Sequence, residues 1–283
     1  MTSTPAIPSA SAELARLEDA LRGRERVLTA FSGGVDSTVV AAAARRVLGK
    51  DAAPAVVGDS ASLPRQELAE VHELAERLDL KLIVVHPDEQ NDPGYQANAG
   101  DRCFFCKTHL YTEMHAKAKE LGIPFIANGT NTDDLGDHRP GLVAAENAGV
   151  ISPLLDAGLD KAAVRAIAEE LGLPNADKPA MACLASRLPY GTEVTPERLA
   201  QVERAERALC ELGFTGFRVR HHEDVARLEV PMDQFAELMA GDMRERAVAA
   251  IKNAGYTYVA LDLEGFRSGS GNIALTIEGA QHP

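Results

Sequence analysis

Cysteine is scarce in this chain: four in 283 residues, Cys103, Cys106, Cys183 and Cys210. That is too few for a disulfide scaffold, which small secreted domains build from dense, paired cysteines. No apolar run reaches the length of about 18 residues that a membrane-spanning helix needs. The opening MTSTPAIPSASAE has neither a basic stretch nor an apolar one, so it does not read as a secretory signal. Basic residues are also in short supply. Lys and Arg total 29 against 42 Asp and Glu, a formal net charge of -13. They cluster no further than pairs such as Arg45–Arg46. Such a chain repels phosphate backbones, which disfavours nucleic acid as a partner. Together these absences point to a cytoplasmic protein with reduced thiols and no membrane partner.

Hydrophobic residues make up 45% and charged residues 25%, the balance of a globular protein with a real core. Residues 1–12, rich in Ser, Thr, Ala and Pro, read as disordered. Residues 13–190 alternate strand and helix. The strands fall at Arg26–Phe31, Ala53–Gly58, Lys81–His86 and Pro124–Asn128. The helices fall at Ala12–Gly23, Ser37–Leu48, Leu63–Leu78, Cys106–Leu121 and Lys161–Leu171, the last capped by Asp160. Short apolar strands between amphipathic helices predict an α/β fold with a parallel sheet covered on both faces. Residues 191–283 change rhythm. A helix over Thr195–Leu212, with Pro196 in its first turn, precedes strands Phe217–His222 and Val225–Val230. Helices at Met232–Ala240 and Asp242–Gly255 and a strand at Tyr256–Leu263 complete a smaller C-terminal α+β domain.

The strongest local motif is Ser32-Gly33-Gly34-Val35-Asp36-Ser37, directly after a strand and opening a helix. Glycines let several N–H groups approach one anion, and the helix N-terminus adds partial positive charge. Ser32 and Ser37 can donate to phosphate oxygens. The loop lacks the Gly-Lys-Ser/Thr ending of a Walker loop and instead resembles the SGGxDS motif of the PP-loop ATP-pyrophosphatases. That resemblance implies an adenine nucleotide alpha hydrolase-like domain that cuts ATP between the alpha and beta phosphates, with Asp36 near magnesium. A second segment, Asn128-Gly129-Thr130-Asn131-Thr132-Asp133-Asp134, also follows a strand and resembles the GTNxDD stretch of the same enzymes. Thr130, Asn131 and Asp133 are then expected at ATP, with Asp133 or Asp134 on magnesium.

Cys103-Phe104-Phe105-Cys106 is a CxxC pair, which alone suits a redox pair, half a metal site or two unrelated thiols. Cys183 stands in CLASRLPYG, which reads as a loop at the domain junction, with Arg187 near enough to favour its thiolate. Cys210 reads as plain core. Arg218 and Arg220, two apart on a strand, share a face that suits phosphate or carboxylates. Glu203 and Glu206 lie three apart on one helix face, equally a solvated acidic face, while Glu206 and Glu229 are candidates to hold a metal or to orient the arginines.

RCFFCK at 102–107, GTNTDDLGDHRPG at 129–141, SPL at 152–154, CLASRLPYG at 183–191 and the segments around Arg218 and Arg227–Val230 together resemble the LarE family of ATP-dependent sulfur transferases. The match runs through both domains. It implies as substrate a small molecule, pyridinium-3,5-biscarboxylic acid mononucleotide, whose carboxylates are adenylated with ATP and Mg2+ and converted to thiocarboxylates. It implies Cys183 as the sulfur-bearing residue and Arg187, Arg218 and Arg220 as substrate ligands. It also implies a homo-oligomer. Two sulfur sources stand side by side: a sacrificial Cys183, or a 4Fe-4S iron-sulfur cluster held by Cys103, Cys106 and Cys183. Rival readings are a tRNA-thiolating PP-loop enzyme, an ammonia-using amidating ligase of the NAD or GMP synthetase kind, and a nucleotide-sensing module.

Overall fold

The computed structural model describes residues 12–136, 140–179 and 182–267. The expected disorder over 1–12 lies outside the described residues except at Ala12, which opens the first helix. In chain order the elements are α1 (Ala12–Arg22), β1 (Val27–Ala30), α2 (Val35–Leu48), β2 (Ala55–Gly58), α3 (Arg65–Arg77), β3 (Leu82–Val85), α4 (Pro93–Gln96), α5 (Arg102–Leu121), β4 (Phe125–Ala127), α6 (Pro140–Asn147), α7 (Pro153–Asp156), α8 (Lys161–Glu170), α9 (Pro196–Glu211), β5 (Arg218–His222), β6 (Val225–Glu229), α10 (Phe235–Leu238), α11 (Met243–Asn253) and β7 (Tyr258–Leu261).

Contacts divide the chain into two units. The first comprises Met1–Asp59, Arg65–Pro87 and Cys106–Met181; the second comprises Ser60–Pro64, Asp88–Phe105 and Ala182–Pro283. A single cut near residue 190 would make each domain contiguous, whereas segments 60–64 and 88–105 group with the C-terminal residues.

The first unit is built on a four-stranded sheet of order β3-β2-β1-β4. All its pairings are parallel. The chain steps outward from β1 to β2 and β3, then crosses back to place β4 on the other side of β1. That reversal opens a crevice at the carboxyl ends of β1 and β4, where open α/β sheets bind ligands. The apolar sequence of β1 is explained by its central place, since Val27, Leu28 and Thr29 are all fully buried. Val35, Val39, Val40, Ala43 and Ala44 of α2 recur at helical spacing. They join Leu14, Leu17 and Leu21 of α1 and Val164 and Ile167 of α8 in one core.

In the second unit β5 pairs antiparallel with β6, and β6 pairs parallel with β7. Ala205 and Leu209 of α9 and Ala247 and Ile251 of α11 pack with Val219, Ala226 and Leu228 of the sheet. Two expectations need correction here. The helix predicted from Cys106 starts four residues earlier, so both cysteines of the CxxC pair lie in the first turns of α5. Asp101 immediately precedes it, a residue type that favours helix starts. Cys210, read as core, is exposed. The buried stripe of α9 is Leu199, Val202, Ala205 and Leu209, and Cys210 falls one position off it. Among the described residues no helix is long and apolar enough to cross a membrane.

Candidate active site

After β1 the chain turns through Ser32, Gly33 and Gly34 into α2. Gly33 has a φ of 75°, in the left-handed region that favours glycine. A Cβ there would also stand 2.7 Å from Cγ2 of Val71. The two serines tie the turn together. The Ser37 hydroxyl donates to the Gly34 carbonyl at 3.0 Å, the Ser32 N–H donates to Ser37 Oγ at 3.2 Å, and the two hydroxyls lie 3.1 Å apart. Behind the loop, buried Asn175 donates through Nδ2 to the Gly33 carbonyl and to Thr38 Oγ1, each at 2.9 Å. Gly34 caps α2 without a side-chain hydrogen bond, which leaves first-turn amides for an anion.

The loop after β4 lies directly against this turn. A Cβ on Gly129 would stand 2.7 Å from the Ser37 nitrogen and 2.9 Å from the Asp36 carbonyl carbon. Gly129→Ala is therefore expected to push the two loops apart, at a cost of about 1–3 kcal/mol, read by urea unfolding, together with a fall in pyrophosphate release. Side chains brace the second loop from inside. Asn128 Oδ1 accepts from the Thr130 N–H at 3.0 Å and the Ser152 hydroxyl at 2.9 Å. Asn131 Oδ1 accepts from the Asp133 N–H, and the Asn131 N–H donates to Asp134 Oδ2, both at 3.0 Å. Such Asx turns hold polar loops in shape.

The two loops meet at Asp36. Asn131 Nδ2 donates to one carboxylate oxygen at 3.1 Å, and Lys161 Nζ forms an ion pair with the other. The Lys161 backbone N–H donates to Asp133 Oδ2 at 3.1 Å. Lys161 was not among the expected residues. It opens α8, whose cap Asp160 accepts from the Ala163 N–H at 2.8 Å as expected. A lysine in the first turn of a helix opposes the helix dipole, and that misfit was the available signal.

In the second unit, Cys183 precedes a short 3-10 turn, Leu184–Arg187, and its thiol is part-exposed. Arg187, expected to face the thiol, instead forms a two-pronged ion pair with Glu206, Nε and Nη2 each 3.0 Å from a carboxylate oxygen. Its Nη1 donates to the carbonyls of Ala182 and Cys183. It therefore shapes the cysteine loop through the backbone. Glu206 also accepts from the Val219 N–H at 3.0 Å. Arg220 donates to Glu229 at 2.8 and 3.0 Å and to the Ser186 carbonyl at 2.9 Å. Glu229 is 0% exposed and also pairs with Arg227. Of the two roles expected for Glu206 and Glu229, metal ligand or orienter of the arginines, the ion pairs favour the second. Removing one partner of such a buried pair strands the other charge. Glu206→Ala is expected to cost about 3–5 kcal/mol, seen as a lower urea midpoint at an unchanged slope.

Arg218 differs from its neighbours. Among the described residues it makes no ion pair, and its guanidinium carbon sits 5.0 Å from the Phe266 ring centroid. Burial first, then the nearby charge of Arg187, pull its pKa below the ordinary arginine value, with Glu206 opposing. A cation held near other cations without its own carboxylate suits an incoming anion.

Cys103 is exposed and Cys106 part-exposed. Arg102 and Tyr190 each interact electrostatically with both Cys103 and Cys183, so these two thiols share surroundings. Among the described residues, however, no three His, Cys, Asp or Glu side chains group so as to hold a metal ion. An iron-sulfur cluster on the cysteines therefore finds no support among the described residues.

A glycine-rich turn and an Asp-bearing loop at the switch point of a parallel sheet define the class: an α/β enzyme that handles a nucleotide's phosphates. The NAD synthase family profile matches residues 15–96. The pyridinium-3,5-bisthiocarboxylic acid mononucleotide synthase of Lactiplantibacillus plantarum is 39% identical over 262 residues, 93% of this chain and 94% of that protein. This chain belongs to that family, the LarE family, and is an ATP-using sulfur transferase. The uncharacterized protein slr1717 of Synechocystis sp. is 42% identical over 252 residues, 89% of this chain and 94% of that one. A chain of the glutamine-hydrolyzing GMP synthase of Methanoculleus marisnigri is 28% identical over 220 residues, 69% of this chain and 67% of that one.

Proposed function

We propose that this chain adenylates the carboxylates of pyridinium-3,5-biscarboxylic acid mononucleotide with ATP and replaces AMP by sulfur from Cys183. The observation that carries the first half is Asp36, clasped by Asn131 and Lys161 where two strand-end loops touch. The name of the Lactiplantibacillus plantarum relative supports the substrate.

Ser32, Gly33, Gly34 and Ser37 cradle the beta and gamma phosphates with amides and hydroxyls, and Thr130 and Asn131 border them. Magnesium takes one or two carboxylates plus phosphate oxygens. Asp36 and Asp133, both joined to Lys161, fit that donor set and would hold it. When bound, the metal supplies charge neutralisation to the phosphates. A substrate carboxylate oxygen attacks the alpha phosphorus, the alpha–beta bridge breaks, and pyrophosphate leaves. The Cys183 thiolate then attacks the acyl carbon and expels AMP, giving a thioester. Loss of the Cys183 Cα proton breaks its Cβ–S bond. The sulfur leaves with the acyl group as thiocarboxylate, and residue 183 becomes dehydroalanine. Arg218, which makes no ion pair among the described residues, receives the substrate's phosphate or a carboxylate, while Arg187 and Arg220 hold the surrounding loops.

The test is incubation of the whole chain with the dicarboxylate nucleotide, ATP and magnesium. Pyrophosphate release that depends on the nucleotide, with sulfur replacing oxygen in its mass, supports the reading. No release on adding the nucleotide sinks it. Release that yields an amide with ammonia points to the amidating ligase.

A further inference from the structure

Arg102 opens α5, and its residue is 6% exposed. A buried guanidinium normally sits on a carboxylate. Arg102 makes no ion pair among the described residues; its Nη1 donates to two neutral oxygens, Oδ1 of Asn98 and the carbonyl of Ala185 at 2.9 Å. Ala185 is two residues beyond Cys183, and Cys103 is the next residue after Arg102. The acceptors are themselves fixed. Asn98 is fully buried at a φ of 50°, and its Nδ2 donates to the carbonyls of Pro189 at 2.8 Å and Thr192 at 2.9 Å. The Gly191 N–H returns to the Asn98 carbonyl at 3.0 Å, and the Leu184 N–H donates to the Ser62 carbonyl at 2.8 Å. The cysteine loop is therefore laced to the start of α5, and the lacing holds one cation that has no carboxylate partner among the described residues. Burial pulls the Arg102 guanidinium down, but interaction with Cys183 first, then Cys103, Tyr95 and Tyr190, outweighs it and leaves the group above the ordinary arginine value.

We propose that Arg102 is a positioning residue for sulfur transfer: the cation of an anion-receiving spot, shared by Cys183 and Cys103, that draws the anionic acyl adenylate onto the Cys183 sulfur. This rests on Cys183 as the sulfur donor. It assigns to Arg102 the role that the sequence suggested for Arg187, whose charge Glu206 neutralises. The spot selects by charge, so it takes anions at the sulfur in preference to neutral electrophiles of the same size.

The charge of the spot can be read without substrate. The full chain is alkylated at one pH with neutral iodoacetamide and, separately, anionic iodoacetate, and each cysteine is followed by peptide mass. The ratio of the two rates at a given thiol cancels its thiolate fraction and reports the local field. Cys210, within reach of Glu206 and Glu211, is the internal reference. The iodoacetate-to-iodoacetamide ratio at Cys183 is expected to exceed that at Cys210 by roughly tenfold or more. Arg102→Gln should bring the two ratios together and slow thiocarboxylate formation about tenfold. Arg102→Lys, which keeps the charge, should hold the Cys183 ratio within about threefold of the unaltered chain. Equal ratios at Cys183 and Cys210 in the unaltered chain overturn the proposal, and so does an Arg102→Gln chain with its ratio unchanged. If Arg102→Gln does not fold, the unaltered chain and Arg102→Lys decide. Thiocarboxylate formation by Cys183→Ala would overturn the Cys183 assignment instead, leaving the measured field as it stands.

Discussion

Cys183→Ala is expected to release pyrophosphate from ATP in the presence of the dicarboxylate nucleotide and to form no thiocarboxylate. In the proposed mechanism the two half-reactions draw on different groups: adenylation on the loops around Asp36, sulfur transfer on the thiol. Without a nucleophile at position 183 the acyl adenylate is lost only to water. A covalent catalyst deprived of its nucleophile falls by orders of magnitude, about 10^6 in the case of subtilisin. Sulfur incorporation should therefore fall below detection while pyrophosphate still accumulates. The unaltered chain gives the complementary result. Each chain is expected to make no more than one thiocarboxylate and afterwards to weigh less by one hydrogen sulfide, lost from the peptide that contains residue 183. Product beyond one equivalent per chain, with Cys183 intact and about four irons and four sulfides bound, would replace the sacrificial route by a cluster. Loss of both pyrophosphate and product in Cys183→Ala would mean that the cysteine loop also supports adenylation, and would remove the separation of roles.

The residues legible in the sequence are those whose geometry is set by near neighbours. The turn from β1 into α2 reads directly because its glycines, serines and helix start lie within six residues. The second loop reads because it follows β4, and parallel strands deliver their loops to one edge. The cap on α8 and the proline of α9 read for the same local reason. What escaped depends on folding across long separations. Lys161 reaches Asp36 over 125 residues, and Arg102 reaches the Ala185 carbonyl over 83. Neither partner is implied by spacing along the chain. The charges of β5 and β6 are a further case: a shared face suited to phosphate or carboxylates was expected of Arg218 and Arg220, yet Arg220 is buried against the carboxylate of Glu229 on the neighbouring strand. Cys210 was within reach of sequence reasoning: extending the spacing of Leu199, Val202, Ala205 and Leu209 leaves it outside the buried stripe.

Asp36→Asn and Lys161→Gln are each expected to lower pyrophosphate release by about 10^2–10^3-fold, the usual loss when one preorganised charge is removed from a reacting site. The double variant should be little worse than the poorer single one, because groups that act as a unit do not add. The reason lies in the electrostatics of the loop. Asp36 places a negative charge in the first turn of α2, where the amides and helix dipole favour the phosphates. Without a partner that carboxylate repels the very anion the turn attracts. Lys161 lies against it and, through its backbone N–H, also engages Asp133. In the proposed mechanism Lys161 offsets the two carboxylates, and a magnesium held by Asp36 and Asp133 would add charge neutralisation as pyrophosphate departs. Removing the lysine leaves Asp36 less compensated, so ATP should bind more weakly and KM should rise. Removing the Asp36 charge would take away a proposed metal ligand, so kcat should fall with a smaller change in KM. Raising magnesium should then partly restore Lys161→Gln and leave Asp36→Asn where it is. Full additivity in the double variant would mean that the two residues work at different steps, and that the ion pair joining them across the β1–β4 crevice has no part in cleaving ATP.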